Sequence, residues 1–311
     1  GIDGNIGTAT GGIGGGGALS NGLSKGFAVL SSDAGHSGPT PFFGLDPQAR
    51  LDYGYNAVGQ LTPMAKNLIK TVYGKSPDRS YLVGCSNGGR HAMVAASRYA
   101  DQYDGIVAGD PGFNLPKAAV AQLWGVQQYA GLATATVGTT GLPDITTSFT
   151  VAELNMVSTK ILDKCDALDG ATDGLIGDLK ACQSAFNLTR DVPVCTGARD
   201  GTCLTYAQKT VLANVHSGAR NSSGAAVYTS FPYDAGINGT SGSGWRAWKF
   251  GNSLTRDPGA VAFIFSTPPV PNPGTFNDLA YAFNFNMDLD APKIYATNGT
   301  YTVAPMTFMT P

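Results

Sequence analysis

The chain has 311 residues, 42% of them hydrophobic and 14% charged, with a formal net charge of −2. That length supports an ample core in one large or two ordinary domains, and the balance excludes the basic footprint of a nucleic-acid or anionic-membrane binder. No apolar run reaches the roughly 20 residues of a membrane helix, so no membrane partner is expected; glycine, at 42 residues, stands at about twice its usual share of roughly 7%, a sign of many tight turns.

Residues 1–17 hold nine glycines. Within them Gly12-x-Gly14-x-x-Gly17 matches the dinucleotide fingerprint, and Asp33 follows at a suitable distance, which would imply an NAD-dependent oxidoreductase. No strand precedes these glycines, and a segment this rich in glycine matches many patterns. The plainer expectation is a backbone-lined loop packed near the active site. The chain opens on Gly1 without an initiator Met, so any leader is expected to lie outside it.

Residues 25–33 (KGFAVLSSD) read as a strand, leading into Ala34-Gly35-His36, and 37–50 as a loop. From 57 to 73 a helical pattern places Leu61, Ala65, Leu68, Ile69 and Val72 on one face, with Gly74 as its stop signal. Tyr81, Leu82 and Val83 read as a buried strand. Gly84-Cys85-Ser86-Asn87-Gly88 follows at once, then a helical pattern carrying Ala92, Met93, Ala95 and Ala96. Strand, tight glycine turn and helix are the setting in which G-x-S-x-G becomes a nucleophile elbow. A side chain at Gly84 or Gly88 is expected to collide with neighbouring backbone, and the Asn87 N–H, at the helix start, points where an oxyanion would form. Ile106-Val107-Ala108 reads as the next buried strand. This alternation predicts an α/β sheet with largely parallel strands.

After Pro111-Gly112 the texture changes. Helical pieces at 151–162 and 206–215 alternate with Ser/Thr/Gly/Asn-rich stretches such as 217–244 and a Pro-rich turn at 268–273, predicting a second, inserted domain with its boundary near Leu115.

A serine nucleophile needs a base within hydrogen-bond reach and a group to orient that base. The chain has three histidines. His91 lies five residues past Ser86 on the same helix and points away from it. His36 follows a strand end and is expected to hold a loop, and His216 is expected at the surface. Asp110, at the end of the next strand, is the best acid candidate within the chain.

Five cysteines leave one unpaired: Cys165, Cys182, Cys195 and Cys203 fall close together, while Cys85 stands beside Ser86. Two short-loop disulfides in a secreted protein is the natural reading. Asp166, Asp169 and Asp173, interleaved with glycines, suit a hard cation such as calcium in a fixed loop, against the alternative of a solvated acidic loop. Asn187, Asn221, Asn238 and Asn298 sit in N-x-S/T sequons. Trp245, Trp248, Phe263 and Phe265 read as an aromatic group of the second domain, core or pocket wall.

The stretches Gly84-Cys85-Ser86-Asn87-Gly88-Gly89-Arg90, Tyr103-Asp104-Gly105-Ile106-Val107-Ala108-Gly109 and Cys165-Asp166-Ala167-Leu168-Asp169-Gly170 resemble the tannase/feruloyl esterase family. Phe43-Gly44-Leu45-Asp46-Pro47-Gln48-Ala49-Arg50-Leu51-Asp52, Gly54-Tyr55-Asn56 and Leu115-Pro116-Lys117-Ala118 bring the chain nearest to the members acting on a terephthalate monoester. The resemblance implies an α/β-hydrolase, with 1–114 the N-terminal part of the catalytic domain and 115–311 a large inserted lid. It implies a secreted serine esterase, extracellular or periplasmic, acting on small aromatic-acid esters through an acyl-enzyme. By position, Ser86 is then the nucleophile, with Asn87 and Gly1 N–H groups as the oxyanion hole. Structural calcium would be held by Asp166, Asp169 and Asp173 side chains with Ala171 and Leu175 carbonyls. The lid disulfides would be Cys165–Cys182 and Cys195–Cys203, and Leu115, Trp248 and Phe265 would line the substrate pocket.

The departures from the family are informative too. Segment 251–265 is shorter than in the terephthalate-monoester members, which carry there an arginine for the substrate carboxylate. Arg256 is its nearest counterpart, so feruloyl, gallate and MHET-like esters all stay open. The family's triad Asp and His follow the lid, the His directly before a cysteine bonded to the one beside the nucleophile. The partner of Cys85, and the C-terminal catalytic strands, are therefore expected outside this chain. The rival reading is a catalytically incomplete, calcium-binding fragment of such an esterase.

Overall fold

Two strands, β1 (Tyr81–Cys85) and β2 (Gly105–Gly109), pair in parallel with Val83 opposite Val107 and Cys85 opposite Gly109. A parallel pair needs a crossover, supplied by helix α3 (Asn87–Arg98), whose Ala92, Val94 and Ala95 are buried. These elements belong to the first of two units in the computed structural model, which describes residues 21–30, 32–239, 244–271 and 273–307. The first unit comprises 1–118, 259–274 and 292–311, and the second 119–258 and 275–291. The division therefore differs from 1–114 and 115–311: the first boundary falls inside a helix, and two later stretches return to the first unit.

Both strands exist as expected, but neither is buried: Val83 is 45% exposed and Val107 58%. Among the described residues the sheet has only these two strands, and α3 packs against both, so Tyr81, Val83 and Cys85 line a face left open. The strand expected at 25–33 does not form among its described residues. Leu23–Lys25 makes a 3-10 turn closed by Gly26 at φ 83, residues 27–30 join no ladder, and the Phe27 ring meets Tyr81 edge-on at 6.3 Å. An apolar run without a neighbouring strand has nothing to pair with. The segment 37–50 is not simply a loop: Pro41–Leu45 forms a 3-10 turn, and α1 (Pro47–Leu51) follows it. Its signal was Asp46-Pro47, an N-cap whose Oδ1 accepts from Gln48 and Ala49 N–H, followed by proline at the first helical position. A wide turn at Asp52–Asn56 then leads into α2 (Ala57–Tyr73), which stops at left-handed Gly74 as expected.

The core of the first unit is closed by the returning stretches. Gly44 is required by packing, since a Cβ there would lie 2.2 Å from Phe263 O. Phe42 meets Phe263 edge-on at 5.0 Å. Arg50, a buried residue of α1, donates to Ser266 O at 3.0 Å and Thr267 Oγ1 at 3.2 Å. Phe263 and Phe265 are thus core residues of this unit and do not join Trp245 in the second.

In the second unit α4 (Leu115–Ala130), which begins in the first, presents Val120, Leu123, Val126 and Tyr129 to the core. Tyr129 meets Phe250 at 5.0 Å and Trp245 at 6.2 Å. Helix α5 (Val151–Cys165) opens with a capping box between Thr150 and Glu153. The short α6 (Leu179–Ala185) and α7 (Leu188–Asp191) follow, and α8 (Tyr206–Ser217) opens with a second capping box from Thr205 and Gln208. Glu153 is fully buried, and its carboxylate accepts from Arg199 Nε and Nη2, both at 2.7 Å, and from Gln208 Nε2 at 3.1 Å. Two disulfides, Cys165–Cys182 and Cys195–Cys203, pair as the family resemblance implied.

Candidate active site

Ser86 sits between β1 and α3 with φ 59 and ψ −118. An L-residue rarely occupies this region, and its strain costs of order 1–3 kcal/mol. The turn holds because Ser86 N–H donates to Gly109 O at 3.1 Å, while Ser86 O accepts from Arg90 N–H at 3.0 Å and Gly112 N–H at 3.1 Å. Close backbone approach makes the bend possible. A Cβ on Gly84 would lie 2.1 Å from Gly88 O, and one on Gly89 would lie 2.4 Å from Gly109 O. Gly88, expected to be equally constrained, has nothing within 4 Å of its would-be Cβ. It is Gly89, facing the second strand, that shares the role with Gly84.

The Ser86 side chain is exposed at the C-terminal end of a parallel sheet, where α/β proteins bind ligands. Asp110 and Asn114, on the loop leaving β2, also have positive φ, 38 and 45; backbone strain of this kind clusters at functional sites. Leu115 packs over the same loop, its Cδ1 at 3.4 Å from a Cβ built on Gly112. As the first residue of α3, Asn87 has its N–H ahead of the helical ladder and free of an intrahelical acceptor. Gly1, the other expected oxyanion donor, and the glycine motif at 12–17 lie outside the described residues. Asp33, which the dinucleotide reading needs, accepts from Gly35 N–H at 2.9 Å in a local turn.

None of the three histidines hydrogen-bonds Ser86 among the described residues. His91 Nε2 accepts from Arg90 Nη2 at 3.1 Å, and burial, with Arg90 beside it, holds its pKa well below the usual histidine range. His36 is buried, stacked on the Phe43 ring at 4.1 Å. His216 is not at the surface: it is 7% exposed and stacked on Tyr233 at 4.1 Å. Burial pushes its pKa down to about 4. The stacking partner, on a distant loop, explains the difference. Cys85 is free and exposed, its Sγ 3.9 Å from Asp110 Oδ2.

In the second unit Trp248 carries the Arg256 guanidinium over its ring at 4.5 Å. Arg256 also donates to Asp257 Oδ1 at 3.1 and 3.2 Å. Asp257 is buried, its Oδ2 without a hydrogen bond among the described residues, and burial lifts its pKa to about 6. Lys249 donates to Gln122 Oε1 at 3.1 Å, and burial lowers its pKa to about 8. Phe265, 2% exposed, is packed in the first unit.

The carboxylates of the 166–175 loop are engaged with backbone amides. Asp166 Oδ1 accepts from Asp173 and Gly174 N–H, Asp169 from Ala171 and Gly177 N–H, and Asp173 Oδ1 from Leu175 N–H. Among the described residues no three His, Cys, Asp or Glu side chains gather as a metal site. The donor chemistry of Asp166, Asp169 and Asp173 suits calcium, and in this structure their oxygens accept from the loop's own amides.

The strand–Ser86–helix bend with exposed hydroxyl is the layout of a serine hydrolase elbow. The chain belongs to the tannase and feruloyl esterase family, whose sequence profile matches residues 1–304. It is 40% identical over 338 aligned residues to mono(2-hydroxyethyl) terephthalate hydrolase of Piscinibacter sakaiensis, covering 98% of this chain and 55% of that protein. A probable feruloyl esterase B-1 of Neosartorya fischeri is 34% identical over 206 residues, 65% of this chain and 36% of that protein. The crystal structure of feruloyl esterase B from Aspergillus oryzae matches with a TM-score of 0.64 at 25% identity, over 91% of this chain and 52% of that one. The fold is thus of the α/β-hydrolase type of these esterases. The chain spans about half the length of the first of these relatives and of the esterase structure.

Proposed function

We propose that the protein hydrolyses small aromatic carboxylic esters by way of an acyl-enzyme on Ser86. The observation that carries this is the backbone at Ser86, held at φ 59 between β1 and α3 with its hydroxyl exposed. Such a position is strained, and the surrounding glycines and hydrogen bonds are arranged to keep it. Ser86 Oγ attacks the ester carbonyl, the alcohol leaves, and water releases the acid. The Asn87 N–H stabilises the tetrahedral oxyanion. No histidine among the described residues hydrogen-bonds Ser86, and Cys85 has no disulfide partner among them. The second unit corresponds to the family's lid, and Leu115, at the start of α4 just after the β2 loop, lies near the acyl group, whereas Phe265 is packed in the core of the first unit. Two disulfides support a secreted location. Calcium in the 166–175 loop would stiffen the lid and takes no part in the chemistry.

The acyl group is of the feruloyl, galloyl or 4-carboxybenzoyl type, the last being that of mono(2-hydroxyethyl) terephthalate (MHET). Arg256, already paired with Asp257, gives the terephthalate carboxylate no privileged cation. The rival reading, a non-catalytic calcium-binding fragment, is favoured by the absence of a histidine on Ser86 among the described residues. One experiment separates them: p-nitrophenyl butyrate and methyl ferulate are added to the chain and to Ser86→Ala. Turnover, or a one-equivalent acyl burst with adduct mass on the Ser86 peptide, supports the esterase. Equal traces for both proteins sink it.

A further inference from the structure

Arg90 lies one turn after Ser86 on α3 and is 1% exposed. Among the described residues no carboxylate pairs with it. A buried cation without a counter-ion is costly and persists only where hydrogen bonds replace its water. Those bonds are present: Nη1 donates to Gly54 O at 2.9 Å, Nη2 to Tyr53 O at 2.8 Å, and Nε to Asn87 Oδ1 at 2.8 Å. The guanidinium also lies over the Tyr53 ring at 4.7 Å. The Tyr53 hydroxyl donates to the same Asn87 oxygen at 3.4 Å, and Asn87 is itself buried.

Packing alone could be served by an apolar side chain at this position. An arginine does something an apolar residue cannot: its planar fork ties one fixed point on α3 to two fixed carbonyls on the turn before α2. The point it ties is the side chain of the residue whose N–H faces the oxyanion. We propose that Arg90 is a positioning residue for ester hydrolysis: it locks Asn87 against Tyr53 and Gly54 so that the Asn87 amide is fixed before reaction, and its unpaired positive charge favours the anionic tetrahedral state. The proposal rests on the esterase reading for its kinetic consequence, and on geometry alone for the fixing of Asn87.

Arg90→Lys keeps the charge and loses the fork; Arg90→Met loses both. With p-nitrophenyl butyrate the expected outcome is a kcat reduced about tenfold in Arg90→Lys and about a hundredfold in Arg90→Met, with KM held within about twofold, since the loss falls on the transition state. Hydrogen exchange supplies a readout that does not need turnover. Amides in peptides covering 84–92 should exchange faster in both variants while those of α2 keep wild-type rates. Exchange rising equally in α2 would mark a merely structural role and overturn the proposal, as would unchanged exchange at 84–92 or wild-type kcat in Arg90→Met. Should Arg90→Met not fold, Arg90→Lys and Tyr53→Phe, which removes one donor to Asn87, carry the same comparison. A parent chain that neither turns over nor acylates sinks the esterase reading, and the exchange data still decide whether Arg90 fixes Asn87.

Discussion

Alanine at Gly84 and at Gly88 should have opposite effects, although both glycines belong to the same five-residue motif. The Gly84 Cβ would stand 2.1 Å from Gly88 O and 2.3 Å from Gly88 C, roughly 1.3 Å short of the 3.4 Å at which ordinary contact begins. Neither side can yield cheaply, because β1 is held by its ladder to β2 and Gly88 by the first turn of α3. Overpacking costs about 1–3 kcal/mol, and rigid backbone on both sides places Gly84→Ala at the upper end, about 3 kcal/mol. For a domain of this size that is a fall in Tm of about 6–12 °C. At Gly88 a Cβ meets nothing within 4 Å, and replacing a helical glycine by alanine gains up to about 1 kcal/mol. Gly88→Ala should therefore melt at or above the parent temperature. Calorimetry and urea unfolding of the two variants decide the matter. Gly84→Ala within about 2 °C of the parent, or Gly88→Ala falling as far as Gly84→Ala, refutes the argument.

Three further outcomes are expected. Arg199→Ala leaves the fully buried Glu153 carboxylate without its bidentate partner and should cost about 3–5 kcal/mol in urea unfolding, whereas the double change Glu153→Met with Arg199→Met should cost much less. Asp257, held protonated up to about pH 6 against 3.8 when unfolded, contributes stability that is complete below about pH 4 and lost as pH rises to about 6, on the order of 3 kcal/mol at about 1.4 per pKa unit; Asp257→Asn should flatten that part of the stability profile, and identical slopes for both proteins would rule the effect out. Calcium added after chelation should raise Tm and bind by calorimetry in the parent and not in Asp169→Asn; no heat and no shift in the parent would leave the 166–175 loop a closed acidic turn.

The elbow was legible because its signals are local: a short apolar run, glycine against the serine and an Ala-rich helix lie within one stretch of chain, and Ser86 landed where the pattern placed it. Signals whose partners lie far along the chain were not legible. Gly89 is constrained by Gly109 on the other strand, and nothing in the five-residue motif marks it. Arg90 finds two backbone carbonyls, which carry no side-chain identity to read. His216 looked like a surface residue until Tyr233 covered it, and the burial of Glu153 depends on Arg199, 46 residues further along the chain. The return of 259–274 to the first unit was hidden for the same reason. Phe263 and Phe265 are as apolar as any second-unit residue, and only contacts such as Phe42 with Phe263 assign them.

Whether the strain at Ser86 is kept for chemistry can be asked of stability alone. At φ 59 and ψ −118 a Cβ is disfavoured whatever its substituent, so Ser86→Ala loses the hydroxyl and keeps the strain. Ser86→Gly loses both, at the price of a more flexible unfolded chain, since glycine occupies this region readily. The hydroxyl makes no hydrogen bond among the described residues, so its removal leaves no buried group stranded and the comparison isolates the backbone. With strain of order 1–3 kcal/mol, offset by glycine's unfolded-state entropy of about 1 kcal/mol, Ser86→Gly should be more stable than Ser86→Ala by up to about 2 kcal/mol in urea unfolding. A residue retained in so unfavourable a conformation, when glycine at the same position is more stable, is one whose side chain is needed for something other than folding. If Ser86→Ala proves the more stable of the two, the bend is relaxed and the argument from strain to nucleophile fails.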